Sequence, residues 1–118
     1  MGKAFISRRG GGNAKRLLWE NASPGSSFSK QNIGLDLTAY RFVDVESRES
    51  TNSNIRSIDR IVKGSTGRCY IELDYRNVRN AKVTNNGIEF EDGKKGANGT
   101  DVSTNNSCCM PVRIWGIR

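Results

Sequence analysis

Histidine is missing from these 118 residues, and with it goes the commonest general base and zinc ligand near neutral pH. No Ser-His-Asp or Cys-His nucleophile can be assembled. Cysteine occurs three times, as Cys69, Cys108 and Cys109, without the Cys-x-x-Cys spacing of a zinc or redox site. Neighbouring Cys108 and Cys109 alternate sides on a strand, so the expectation is buried free thiols acting as small hydrophobes. Apolar runs are all too short to span a membrane as a helix. The charged start is not followed by the apolar stretch of a secretory signal. The expected setting is therefore a reducing cytoplasm, with any release by another route such as lysis.

Apolar residues are also scarce, at 35%, which implies one domain with a thin core. Thirteen glycines and runs such as Thr51-Asn52-Ser53-Asn54 favour turns over helices. The net charge of +7 is unevenly placed. Lys3, Arg8, Arg9, Lys15 and Arg16 fall in the first sixteen residues with no acid, leaving fourteen basic and twelve acidic side chains in the rest. Residues 1–13 read as a basic, glycine-rich arm, with Phe5, Ile6, Arg8 and Arg9 as its assembly contacts. Gly10-Gly11-Gly12 is a linker, because no Gly-Lys-Ser/Thr follows it to make a phosphate loop. Such an arm can bind phosphates or dock on an acidic neighbour, and docking is the favoured reading.

Residues 14–118 are expected to form one all-β domain. Leu17-Leu18-Trp19 suits a first strand, and the Ser23-Pro24-Gly25 region a turn. Ile33, Leu35 and Leu37 alternate with Asn32, Gly34 and Asp36, the period of a half-buried strand. Tyr40, Phe42 and Asp44 form one row of the next segment, Val43 and Val45 the other. Residues 46–54 read as a polar loop. Ile55, Ile58, Ile61 and Val62 fit helical spacing, but β-branching favours a strand over 55–63. After a turn at 64–67, Cys69 to Tyr75 alternates, Val78 to Thr84 continues, and Asn85-Asn86-Gly87 marks a hairpin returning through Phe90. Residues 92–107 read as a long loop, and Cys108–Ile117 as the last strand. The expected architecture is a β-sandwich or jelly roll of about seven to eight strands with an extended N-terminal arm.

Chemistry is thinly represented. Paired carboxylates could cleave a glycoside, and Asp36, Asp44, Glu46, Glu72, Asp74, Glu89 and Glu91 are the candidates, but most fall on the polar side of alternating strands. Glu89, Glu91 and Asp92 flank a turn without the spacing of a calcium loop. Trp19 and Trp115 sit where first and last strands pair and read as packing residues. Tyr70, Arg76 and Arg79 are the nearest approach to a sheet that stacks RNA bases between cations. No catalytic residue, metal or cofactor is expected, and the chain is not read as an enzyme.

Three stretches carry a resemblance. They are Lys3-Ala4-Phe5-Ile6-Ser7-Arg8-Arg9-Gly10-Gly11-Gly12, then Leu17-Leu18-Trp19-Glu20-Asn21-Ala22-Ser23-Pro24 continuing through Ser27-Phe28 to Ile33-Gly34-Leu35-Asp36-Leu37, and the ending Cys109-Met110-Pro111-Val112-Arg113-Ile114-Trp115-Gly116-Ile117. With the hairpin Asn86-Gly87-Ile88-Glu89-Phe90, the chain resembles small tail-associated proteins of phages and prophages of Gram-positive bacteria. It departs at Ala22-Ser23-Pro24, at Trp115 where the pattern has Tyr, and in the polar residues around 48–54. The resemblance implies a virion structural protein of the tail, baseplate or fibre region, assembled in the host cytoplasm and contributing to host attachment. Its expected partners are other virion proteins and further copies of itself, with a host-surface glycan as an additional one and neither membrane nor nucleic acid. The alternatives are a capsid decoration protein, a carbohydrate-binding module using loops 46–54 and 92–107, and a nucleic-acid-binding protein using the arm.

Overall fold

Ten β-strands make up the regular structure of residues 15–97 and 102–118, the residues that the computed structural model describes. The arm of residues 1–13, with Phe5, Ile6, Arg8 and Arg9, lies outside them. The strands are β1 (Lys15–Glu20), β2 (Gln31–Gly34), β3 (Phe42–Ser50), β4 (Arg56–Val62) and β5 (Thr66–Glu72). They continue with β6 (Tyr75–Thr84), β7 (Gly87–Phe90), β8 (Lys94–Ala97), β9 (Ser103–Thr104) and β10 (Cys108–Ile117).

Two antiparallel sheets pack as a sandwich. One is four-stranded, in the order β1-β10-β3-β4. The other is six-stranded and forks at β6. One edge of β6 pairs with β5 along its length; the other takes β7 opposite Ala81–Thr84 and β8 opposite Tyr75–Val78. β2 extends the first branch and β9 the second. Val43, Val45, Ile61, Val112 and Ile114 from one sheet meet Cys69, Ala81, Val83, Ile88 and Phe90 from the other in a single core. Phe28 enters it from the loop after β1 and sets its ring edge-on to Phe90 at 5.5 Å and to Trp19 at 6.2 Å, the geometry that aromatic quadrupoles favour.

The all-β sandwich expected from alternation is the fold observed, and the 55–63 segment is strand over Arg56–Val62. First and last strands pair, with Leu17 opposite Trp115. Residues 46–50, expected as loop, are instead the second half of β3; the turn is confined to the residues after Ser50. Their polar side chains hid a strand because the partners lie on β4 and β10, with Glu46 opposite both Ile58 and Arg113. Residues 92–107 likewise contain β8 and β9, short strands with no apolar alternation. The Cys69–Tyr75 alternation runs past its strand: Leu73 and Tyr75 are exposed where the chain reverses into β6. The 33–37 row is half-buried as expected, with Leu37 buried and Ile33 and Leu35 partly so, although β2 ends at Gly34, and Leu35 and Leu37 donate their amides to the Asn86 and Asn85 carbonyls of the β6–β7 turn.

Two local features follow from backbone chemistry. Gly87 closes the hairpin at φ 141°, and a Cβ there would lie 2.1 Å from the Ile33 carbonyl oxygen, so only glycine fits. Pro111 sits inside central β10, where a missing amide normally breaks a ladder. It is tolerated because β1 pairs only with Arg113–Ile117 and a bulge falls between Pro111 and Arg113. The freed Pro111 carbonyl instead accepts from Asn21 Nδ2 at 2.9 Å.

Candidate functional site

The outer face of the four-stranded sheet is ordered by register, since residues directly opposite in antiparallel strands share a face. Leu17, Trp115, Asp44 and Arg60 form one row across the four strands. Asp44 is only 4% exposed and accepts from Arg60 Nε at 2.8 Å and Nη2 at 3.2 Å. Lys15 Nζ approaches the same carboxylate at 3.4 Å and lies 4.9 Å from the centre of the Trp115 ring. Burial alone would raise the Asp44 pKa, but the Arg60 hydrogen bond and charge, then Lys15, hold it below its ordinary 3.8. The next row runs Glu20, Arg113, Glu46 and Ile58, with Arg56 two residues before Ile58 on β4. Arg113 bridges Glu20 at 2.9 Å and Glu46 at 3.0 Å, and Arg56 reaches the same Glu46 oxygen at 2.8 Å. Between these paired charges stand Leu17, Ile58 and Val62, exposed by 43%, 54% and 54%. A depression of about 440 Å³ lies beside Ile58 and Arg56.

The outer face of the six-stranded sheet is built differently. Arg68 stands opposite Asn80, Tyr70 opposite Val78, and Val78 in turn opposite Lys94. Two adjoining depressions of about 410 and 200 Å³ share Val78, Asn80 and Lys94. Arg68, Tyr70 and Arg76 line the smaller one, and Glu91, Asp92 and Thr104 the larger. Tyr70 donates its hydroxyl to Glu72 at 2.9 Å. Burial, then the Glu72 acceptor, raises its pKa. Arg68 and Lys94 form no ion pair among the described residues. They are the functional candidates that the sequence reading missed. The signal was available for Arg68, which shares the parity of Tyr70 and Glu72 along β5.

In sequence Arg79 stands with Tyr70 and Arg76 as the nearest approach to a base-stacking sheet. It points the other way. With 1% exposure it is the largest fully buried side chain, crossing from β6 towards the start of β10. Its Nε donates to the Cys109 carbonyl at 3.0 Å, Nη2 to Cys108 at 3.2 Å and Nη1 to Glu91 at 2.8 Å. The guanidinium also lies 5.1 Å from the Phe28 ring centre. Desolvation lowers its pKa. Two consecutive carbonyls converge on it because Cys109 adopts φ 47°, a left-handed conformation that non-glycine residues seldom hold without support. The same kink lets adjacent Cys108 and Cys109 both be buried, as free thiols like Cys69. Burial pushes the Cys69 thiol up to about 12 and raises Cys109 as well, so both stay protonated and unreactive at neutral pH.

Of the remaining carboxylate candidates, Asp36, Glu91 and Asp92 have separate structural partners. Asp36 closes a turn by accepting from Thr38 Oγ1 at 2.7 Å and Thr38 N at 3.1 Å. Glu91 pairs with Lys30 at 3.6 Å. Asp92 accepts from the Lys30 amide at 2.8 Å and from Asn106 Nδ2 at 3.1 Å. Among the described residues no group of three or more Cys, Asp or Glu side chains is placed to hold a metal ion. Comparison with protein-family models, with curated proteins and with solved structures returned no match.

Proposed function

We propose that this chain is a non-enzymatic structural subunit of a phage particle, in the tail, baseplate or fibre region, packed against further copies of itself. The observation that carries the reading is the outer face of the four-stranded sheet. Exposed Leu17, Ile58 and Val62 alternate there with charges already fixed by partners within the sheet. Charges held in place lose little entropy on association, and the apolar residues between them supply the area removed from water. The alternating signs of Glu20, Arg113 and Glu46 also suit a copy of the same face turned about a twofold axis.

The arm supports the same reading. It precedes Lys15 at the edge strand of this face, and thirteen residues, if fully extended, would reach on the order of 45 Å, enough to cross a neighbouring domain. Phe5, Ile6, Arg8 and Arg9 are its proposed contacts. The tail address rests on the resemblance of the Leu17–Pro24, Ile33–Leu37 and Cys109–Ile117 stretches to tail-associated proteins.

The test has two arms. Gold-labelled antibody to the domain is expected to mark the tail or its tip in particles from a lysate. In solution, the full chain is expected to be an oligomer by sedimentation, and Ile58→Lys with Val62→Lys a folded monomer. Label over the head would replace the tail reading with capsid decoration. Particles without label would overturn the virion reading, and a monomeric parent chain would overturn the self-packing face.

A further inference from the structure

We infer that the groove on the outer face of the six-stranded sheet binds an anionic saccharide, a hydroxyl-rich ring carrying one carboxylate or phosphate. The groove lies on the opposite side of the sandwich from the proposed packing face, so this inference stands or falls separately from that reading.

The argument begins with charge. Four cations on the other sheet, Lys15, Arg56, Arg60 and Arg113, each have a carboxylate within the ion-pair distance. Arg68 and Lys94 form none among the described residues, yet they flank one depression from two different strands. Holding two cations near one another without a counter-ion is unfavourable, and an anion bound between them relieves it. The scaffold is rigid, because the side chains rise from paired strands rather than from a loop. Tyr70, Val78 and Lys94 form one row across three strands. At the spacing of neighbouring strands that row is about 10 Å wide, the width of a single sugar ring with its substituents. The Tyr70 ring and Val78 give the apolar floor that a ring face needs, and the size of the larger depression suits a small ligand.

The far end of the groove decides the rest of the ligand. There Asn80, Thr104, Glu91 and Asp92 line the larger depression. Amide, hydroxyl and carboxylate groups together both accept and donate, which matches the hydroxyls of a sugar. Asp92 receives its two hydrogen bonds on Oδ1, and so keeps Oδ2 for a ligand hydroxyl. The same carboxylates argue against a nucleic acid strand. A continuous run of phosphates leaving Arg68 and Lys94 would pass directly over Glu91 and Asp92. The groove therefore accommodates one negative group at one end and neutral hydroxyls at the other.

The experiment is a titration of the ¹⁵N-labelled full chain followed by amide shifts. The probes are a glucuronate-containing tetrasaccharide, glucose 6-phosphate, neutral maltotetraose and an eight-residue thymidine oligonucleotide. At least one anionic sugar is expected to shift amides of β5, β6 and β8, and the pair of them tells carboxylate from phosphate. A dissociation constant near 1 mM, with maltotetraose about tenfold weaker, is the expected scale for an open groove. Arg68→Gln with Lys94→Gln should abolish the preference for the anionic sugar, whereas Arg16→Gln on the other sheet leaves it intact. Both groove residues are exposed, so the variant keeps its fold, and the unperturbed amides report this. The salt dependence should be shallow, as for about one ionic contact. The inference is overturned if no sugar shifts these amides, if maltotetraose binds as well as the anionic sugars, or if the oligonucleotide binds more tightly than either.

Discussion

The two outer faces of the sandwich carry basic side chains in opposite states. On the four-stranded sheet Lys15, Arg56, Arg60 and Arg113 are each answered by Asp44, Glu46 or Glu20 on another strand, Lys15 reaching across β10 to do so. On the six-stranded sheet Arg68 and Lys94 find no such carboxylate among the described residues and border a groove instead. Residue type does not distinguish these cations; the presence of a carboxylate within reach on the same sheet does. Where a carboxylate lies within reach, the charge becomes part of the sheet and the exposed apolar residues are what remains for contact. Where an amide or an aliphatic side chain stands opposite, as Asn80 and Val78 do, the charge stays available to a ligand.

The largest expected effect comes from removing the side chain that fixes β6 to β10 and so holds the two faces in place. Arg79→Ala leaves the Cys108, Cys109 and Glu91 carbonyls without their donor and opens a cavity. A loss of about 4 kcal/mol or more in urea unfolding is expected. Arg79→Lys should recover only part of it, because an ammonium cannot reproduce the planar fork that serves three carbonyls.

Next in size is Asp44→Ala, which strips the paired face of its central acceptor. A loss of about 2 kcal/mol is expected at neutral pH. The folded pKa of Asp44 lies below its ordinary 3.8, so this contribution is fully present above that value and fades as pH falls through the folded pKa. Denaturation midpoints measured against pH should show the parent and variant converging in acid.

Asp59 sharpens the contrast because its sign is reversed. It sits where β4 meets β5, accepting from the Tyr70 amide at 3.2 Å with Ser57 Oγ nearby at 3.4 Å. Burial raises its pKa against these neutral donors. Protonated Asp59 thus favours the fold in acid, and that stabilisation is lost as pH rises through the folded pKa. Asp59→Asn keeps an acceptor and removes the charge, so a gain of about 0.5–1 kcal/mol is expected at neutral pH and no gain in acid.

The smallest effect separates the faces most directly. Arg113→Gln, which loses contacts to Glu20 and Glu46, should reduce stability by about 1 kcal/mol, whereas Arg68→Gln should stay within about 0.5 kcal/mol. Equal losses in thermal or urea unfolding would contradict the distinction.

The parts of this fold legible in the sequence are those where one strand face is apolar. Ile33, Leu35 and Leu37 announced a buried row, Asn85-Asn86-Gly87 a hairpin, and Val112 to Ile117 a closing strand. Sequence alternation failed where polarity is satisfied at a distance. Glu46 and Arg48 look like loop residues until β4 and β10 are placed beside them, and the Lys94–Ala97 strand contains only lysine, glycine and alanine. Arg79 was misread for the same reason: nothing near it along the chain states that three carbonyls wait inside. The groove was half visible, since Tyr70 and Arg76 were noticed, but Lys94 joins them only through the pairing of β8 with β6.

The place of β10 has a consequence for how the chain is made. It lies between β1 and β3, yet it follows every other strand described. A ribosome therefore delivers β1, β3 and β4 before the element that joins them. During synthesis β3 and β4 can form their hairpin, but β1 has no neighbour to pair with, and one side of β3 stays bare. The six-stranded sheet needs no such wait, because β5, β6 and β7 emerge in succession as adjacent partners. One layer of the sandwich can thus assemble while the chain is still growing. The other remains an open seam until Cys108–Ile117 clears the exit tunnel, and that interval is when the nascent protein most needs shielding from its neighbours.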